Sequence, residues 1–552
     1  MKNKPVWMML LALAILLFSL SLHAVAEEQL DVTALYKTKD TDASWSAETA
    51  EVIDLSALDG NLLTISGKGD YVLTGTFNGQ VAVEVSEEEK VRLILNGVTI
   101  TSSQGPAIYE KQADKLIITL AEGTENRLTD GAALQDGDDT IGAALYAEDD
   151  LSINGTGSLI VNGTQKHGLQ SKADLIIAGG KIAVTAVTDG IRGRNSVLVL
   201  DGEISVAAGG DGIVSTRTDA EGKGWVALAG GQVTVKTGDG AGAVRASGKG
   251  GFGGKGGGRG GWNTTVSTSS DGVSQKAVKA ATDLTVLGGT YSFDCADDGL
   301  HGVNVTVNGG SFSILTGDDG MHADSDLTVN GGGILIAQCY EGLEGTNVTV
   351  NGGDIRITAS DDGVNASGGK DQSGFGGGWG NDRFSDSGAM LTVNGGVLQV
   401  DAGGDALDSN GSIRITGGVV GVWAVTTTGE GAIDFNGTGT VSGGTLIVAS
   451  TGGVMRDTSA LTGQSMMALS VSGSQGAEIQ LLDAQGNVLG SFTPLNAYDT
   501  VLVSSDQLQS GDTFTLLSGG KTAYAGTLSA GSVTAQQDGW GFGGGRGGRR
   551  GR

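Results

Sequence analysis

A short phrase recurs through the middle of this chain: Asp297-Asp298-Gly299-Leu300-His301, Asp318-Asp319-Gly320-Met321-His322, Tyr340-Glu341-Gly342-Leu343-Glu344 and Asp361-Asp362-Gly363-Val364-Asn365. Its glycines stand 21, 22 and 21 residues apart. A period of this size specifies stacked structural units, because one unit is too short to bury an apolar face alone. Two things repeat together, an apolar residue after each glycine and an acidic residue before it. The first builds a core and the second points to chemistry.

One unit reads as short strands joined by turns. Asn304-Val305-Thr306-Val307 alternates, Asn308-Gly309-Gly310 is a turn signal, and Ser311-Phe312-Ser313-Ile314 alternates again. Gly299 is expected to permit a tight turn. Stacking places Leu300, Met321, Leu343 and Val364 over one another, and likewise Val305, Leu327 and Val348. The pattern extends upstream through Gly168-Leu169, Gly190-Ile191 and Gly212-Ile213, and through Ala107-Ile108 and Ala144-Leu145. Downstream it continues in Ala406-Leu407 and Ala432-Ile433. The predicted fold is all-β, a right-handed parallel β-helix of about a dozen coils with a small C-terminal β cap.

Composition agrees with a patterned chain rather than a disordered one. There are 99 Gly and 3 Pro in 552 residues, without a Gly-X-Y period. The net charge of −28 argues against nucleic acid and for cations, neutral polymers, or acidic polymers bridged by metal. Residues 1–26 read as a signal peptide, with Lys2 and Lys4, an apolar run and Ala24-Val25-Ala26 before the cleavage point. A membrane anchor is the alternative. The expected location is secreted, extracellular or cell-surface associated. Residues 27–61 read as an N-terminal lead and cap, 62–450 as the β-helix, 451–537 as a β-structured cap and 538–552 as a disordered Gly/Arg-rich tail. Glycine-rich insertions at 248–275 and 368–388 read as outward loops. Cys295 and Cys339 lie two repeats apart, beyond disulfide reach, and are expected on opposite faces as free thiols.

The acidic column runs through Asp189, Asp211, Asp298, Asp319, Glu341, Asp362 and Asp405, with Asp297, Asp318 and Asp361 as a second column. Stacked coils would hold these carboxylates about 5 Å apart. Repulsion grows severalfold on partial burial, and calcium relieves it because its oxygen ligands span about one strand repeat. Asp-Gly turn chemistry alone is the competing account. Two residues beyond the glycines, or beyond the alanines that replace them, Gln170, Arg192, His301, His322, Glu344, Asn365, Asp408 and Asp434 form a column expected to face outward, as a track for sugar hydroxyls or a plain solvated face. A transition-metal site at the two histidines is a further option. Asn308, Asn330, Asn351 and Asn394 are expected to stack as amides along the axis.

The phrases Gly69-Asp70-Tyr71-Val72-Leu73-Thr74-Gly75, Leu95-Asn96-Gly97-Val98-Thr99-Ile100 and Tyr340-Glu341-Gly342-Leu343-Glu344-Gly345 carry a resemblance. They resemble a family of secreted, polysaccharide-lyase-like carbohydrate-binding domain proteins of cellulolytic clostridia. The similarity covers roughly residues 59–450 and leaves out the C-terminal segment and tail. It implies a right-handed parallel β-helix, bound Ca2+, and affinity for cellulose and polygalacturonate (pectin) without cleavage.

The expected function is therefore a non-catalytic, calcium-stabilised, polysaccharide-binding protein, with Trp262 and Trp379 on the glycine-rich loops stacking on sugar rings. A calcium-dependent lyase is the alternative, with Arg192, Arg194 and Lys172 near Asp189 as candidate bases. A cell-surface adhesin or scaffold is another, with Arg546, Arg549, Arg550 and Arg552 meeting an anionic envelope.

Overall fold

A computed structural model describes residues 30–136, 139–242, 273–367, 387–425, 431–451 and 461–529. The signal-peptide, glycine-rich-loop and Arg-rich-tail assignments fall wholly or mainly outside these residues, as do Trp262 and Trp379. The chain divides into a short unit, Met1–Thr38, and a large one, Lys39–Arg552. Within the first, Asp31 accepts a hydrogen bond from the Thr33 backbone N–H at 3.0 Å and caps the turn Val32–Ala34.

The large unit is all-β and is built around one extensive parallel sheet. Each strand pairs with its counterpart one repeat later. Leu300–Val307 lies beside Met321–Val329, which lies beside Leu343–Val350. Between them Ser311–Thr316, Gly333–Cys339 and Asp354–Ala359 pair in the same sense. Leu300 opposes Met321, Met321 opposes Leu343, and Leu343 opposes Val364, as the period predicts. All four side chains have 0 % exposure, and so do Val305, Leu327 and Val348. The alanine-bearing repeats join the same columns, with Ile108 opposite Leu145 and Leu407 opposite Ile433.

The alternation of 21 and 22 residues has a local cause. The register slips between Ala323 and Asp326, so that Asn304 faces Asp326 while His301 still faces His322. A second slip follows Ile336. Such bulges absorb an extra residue without moving the core columns. The second slip also corrects the cysteine expectation. Cys295 and Cys339 both point inward, at 0 % and 1 % exposure, because the added residue restores the inward phase by Cys339. Both are free thiols.

The repeat glycines also act differently from expectation. Gly299, Gly320, Gly342 and Gly363 do not have positive φ. A Cβ on Gly320 would instead stand 2.6 Å from the Gly342 carbonyl oxygen and 2.6 Å from Ile336 Cδ1. Glycine is needed there because the next coil and the inward side chain approach too closely for any other residue. The left-handed conformation belongs to the second glycine of each Asn-Gly-Gly turn, such as Gly310 at φ 102° and Gly332 at φ 106°.

At the C-terminal end the stacking sense changes. Gly439–Thr451 pairs parallel with Ser412–Val425 on one edge and antiparallel with Thr500–Ser505 on the other. A four-stranded antiparallel sheet follows, from Ile479–Leu482, Val488–Phe492, Thr513–Ser518 and Lys521–Thr527. Trp423, Ile447, Phe492 and Phe514 form its separate core. An antiparallel strand ends the templating of further parallel coils and covers an otherwise unpaired edge. Among the described residues no helix is long and apolar enough to cross a membrane.

Gly320→Ala should destabilise the protein by roughly 1–3 kcal/mol through overpacking. Ser313→Ala on the exposed strand face should stay within about 0.5 kcal/mol of wild type. Thermal melts compare the two, and equal melting temperatures would refute the close-approach account.

Candidate functional site

From Leu169 to Leu407, the residue two positions before each inward Leu, Ile, Met or Val joins a common column. In register order the column is His167, Asp189, Asp211, Lys276, Asp298, Asp319, Glu341, Asp362 and Asp405. One oxygen of most of these carboxylates accepts a hydrogen bond from the backbone of the next coil. Asp298 Oδ1 accepts from Asp319 N–H at 3.2 Å, and Asp319 Oδ1 accepts from Glu341 N–H at 3.3 Å. Asp189 does the same for Asp211, Asp211 for Lys276, and Asp362 for Asp405, at 3.2, 2.9 and 2.7 Å. The acidic column is therefore turn chemistry extended between coils. It satisfies backbone donors that the tight turn would leave buried.

The second carboxylate oxygen is left for other work, and it is used differently along the column. Asp189 Oδ2 meets Arg192 Nη1 at 2.6 Å and His167 Nδ1 at 3.3 Å. Burial, against the pull of Asp189, holds His167 down at about 4, so it is neutral near pH 7. Asp211 is an exception, since Ser274 donates to the same Oδ1 at 2.7 Å, while Oδ2 lies 3.9 Å from Lys279. Glu341 accepts from Asn365 Nδ2 at 2.9 Å. Asp189, Asp211, Glu341, Asp361 and Asp362 do not enter any close group of three metal-ligating side chains among the described residues.

Four such groups do form, each with donor atoms mutually within 4.8 Å: Asp297–Asp298–Asp318, Asp298–His301–His322, Asp319–His322–Glu344 and Asp405–Asp408–Asp434. The first is all oxygen and suits a hard cation such as calcium. A cation already stands beside it, since Lys276 is buried, ion-pairs with Asp298, and lies 3.2 Å from Asp297. Burial works to raise the Asp298 carboxyl, but Lys276 and His301 together hold it well below the ordinary carboxylate range. Asp319 meets His322 in the same way, but among the described residues no lysine pairs with it. Burial first, then Glu344 and Asp298, push it well above that range, and burial with Glu344 and Asp362 does the same to Glu341.

Lys276 escapes a reading by motif because it follows a glycine-rich insertion and precedes Ala277 where other repeats have glycine. Only the pairing of Val278 with Leu300 places it in the acidic column. Asp405, Asp408 and Asp434 are legible as members of their columns, but their convergence is not.

Between His301 and Asn365 the column expected to face outward is largely enclosed. His301, His322 and Asn365 have 8 %, 1 % and 7 % exposure, and of these four only Glu344 is partly open. The imidazoles of His301 and His322 stack at 4.9 Å between centroids with 20° between planes. Their Nδ1 atoms meet Asp298 Oδ2 at 3.0 Å and Asp319 Oδ2 at 3.1 Å. Carboxylates at the turn draw the rings inward, which the strand alternation alone does not reveal. A polymer cannot lie along this column as an open track.

Two other columns bear on ligand contact. The asparagine ladder is continuous: Asn330 donates to Asn308, Asn351 to Asn330 and Asn394 to Asn351 at 2.7–2.8 Å, and Thr416 donates to Asn394 at 2.6 Å. It is a structural seam, in which each amide donates one N–H to the amide of the preceding coil. On the exposed face, Ser205, Thr234, Ser292 and Ser313 stand in register on four successive coils. The strands of Ser205, Ser292 and Ser313 lead toward the turns that carry Asp211, Asp297 and Asp318. The alternation shows each as outward, and their alignment becomes visible only when the insertion at 243–272 is skipped.

The model of a family described as "Carbohydrate-binding domain-containing protein" matches residues 59–320 and 303–378. A curated protein of that description from Acetivibrio thermocellus is 36% identical over 141 residues, which is 25% of this chain and 49% of the relative. The chain thus spans about half the length of that relative. A solved structure of the polysaccharide lyase-like protein from C. thermocellum, a gadolinium derivative, matches 48% of this chain and 93% of its own at 26% identity and a TM-score of 0.36.

Asp298→Asn removes the nearer of two carboxylates that pair with the buried Lys276 and should cost about 3 kcal/mol at neutral pH. Lys276→Met combined with Asp298→Asn should recover part of that loss. Because the folded-state pKa of Asp298 is depressed, its stabilisation is present above the ordinary value of 3.8 and fades as pH falls below it. The gap between wild type and Asp298→Asn in denaturant melts should therefore narrow toward pH 2. A gap independent of pH would show that the charge of Asp298 is not what stabilises.

Proposed function

Because the chain belongs to the carbohydrate-binding domain-containing protein family, we propose that it is a secreted, non-catalytic protein that binds plant cell-wall-type polysaccharides with the help of calcium. In this reading the parallel stack winds as a right-handed β-helix, the usual hand for parallel crossovers. The observation that carries the reading is an exposed, in-register row of hydroxyls, Ser205, Thr234, Ser292 and Ser313, whose last two strands lead into the turns that hold the carboxylate group Asp297–Asp298–Asp318. Coils repeating at about 4.8 Å give a long regular face suited to an extended polymer. The carboxylate triad would hold Ca2+ by oxygen ligands alone, and the ion would let an acidic protein meet uronate carboxylates. Asp405–Asp408–Asp434 has the same donor chemistry.

One observation favours a lyase as the second reading. Lys276 places an amine beside the carboxylate triad, where a base for proton abstraction next to a uronate carboxylate would be wanted. Against it, Lys276 is 3 % exposed and held as an ammonium by Asp298, which removes both access and basicity. The binding reading is favoured for that reason. Adhesion through the Arg-rich tail has support from composition only, and the tail lies outside the described residues.

Affinity electrophoresis in polygalacturonate and in cellulose-derivative gels tests the proposal. Migration should be retarded with calcium, and retardation should fall after chelation and in Asp318→Asn. Polygalacturonate incubated with the protein and calcium should develop no ultraviolet-absorbing unsaturated ends. Retardation that ignores both chelator and Asp318→Asn would remove calcium from the account, and unsaturated products would establish the lyase.

A further inference from the structure

We propose that the chain carries a second, chemically distinct cation site, in which His322, Asp319 and Glu344 hold a divalent first-row transition ion of the zinc class. The His322 ring is 1 % exposed, and its Nδ1 lies 2.6 Å from Glu344 Oε2 and 3.1 Å from Asp319 Oδ2. One donor atom from each of the three falls within 4.8 Å of the others. His322 also belongs to the adjoining group with Asp298 and His301, so two triads share one imidazole.

The donor geometry favours a cation over a plain hydrogen-bond network. Asp298, Asp319 and Glu344 bring three carboxylates to the two stacked rings. Lys276 is engaged by Asp298 and Asp297, so among the described residues no lysine or arginine pairs with Asp319 or Glu344. A neutral imidazole has one N–H and cannot serve both Asp319 and Glu344 fully through Nδ1. A metal ion between them would take the ring nitrogen and both carboxylates as ligands of one centre.

A separate observation lies on the next coil. Asn365 is in register with Glu344 and 7 % exposed, and its Oδ1 is buried without a hydrogen-bond donor among the described residues. That oxygen is a further ligand or an acceptor for a metal-bound water. Imidazole nitrogen beside carboxylate oxygen selects a transition ion, whereas the all-oxygen group one coil away selects calcium. His301, paired with Asp298, braces the stacked ring of His322 and is a positioning residue.

The test uses the full chain, prepared without added histidines and stripped with chelator. Zn2+ is titrated by calorimetry in excess Ca2+, and Co2+ by visible absorption. The proposal expects one zinc equivalent that calcium does not displace, and cobalt d–d bands of a nitrogen- and oxygen-ligated ion. His322→Asn should abolish both signals, and Glu344→Gln should weaken zinc binding by at least about tenfold. Should His322→Asn fail to fold, the partly exposed Glu344→Gln decides. No zinc uptake by wild type, full displacement by calcium, or unchanged binding in a folded variant overturns the site. None of these outcomes depends on whether polysaccharide binding or the calcium triad is upheld.

Discussion

The structure depends on in-register parallel hydrogen bonding between successive coils. Each coil templates the next, so any residue type that repeats at the period becomes a column running along the stack. Apolar residues in such a column are buried at both neighbours and gain from stacking. Charged residues in a column meet their own kind about 5 Å away, which is a cost. Much of the chemistry of this chain is the management of that cost.

Three devices appear along one acidic column. At Asp189 an arginine on the same coil and a neutral histidine on the preceding coil face the carboxylate. At Asp298 a lysine takes one place in the column itself and pairs across coils. At Asp319 and Glu341 no lysine or arginine pairs among the described residues, and burial drives both carboxyls toward their neutral forms. The proposed transition ion belongs where fixed cations give out. At Asp189, Asp298, Asp319 and Asp362 the other carboxylate oxygen binds a backbone N–H of the next coil, so acids are retained in the column even where their charge is a burden.

The fold was legible because its determinants are periodic. Leu300, Met321, Leu343 and Val364 could be stacked from numbering alone, and the asparagine ladder follows from Asn308, Asn330, Asn351 and Asn394 in the same way. Single-residue insertions are not legible in the same way. A bulge after Ile336 turns Cys339 inward, and a local period of two cannot anticipate it. The repeat glycines suggest conformational freedom, whereas at Gly320 it is the approach of Gly342 and Ile336 that excludes a side chain.

By itself the sequence determined the repeat, the identity of each column and the acidic character of the turn, because these depend only on spacing. Tertiary structure decided which column members actually converge. It brought Lys276 into the acidic column across an insertion, drew His301 and His322 inward, and separated an all-oxygen group from one that mixes nitrogen and oxygen. The reason is that periodicity fixes which residues share a column, while rotamers, bulges and burial fix which atoms within it can meet at bonding distance.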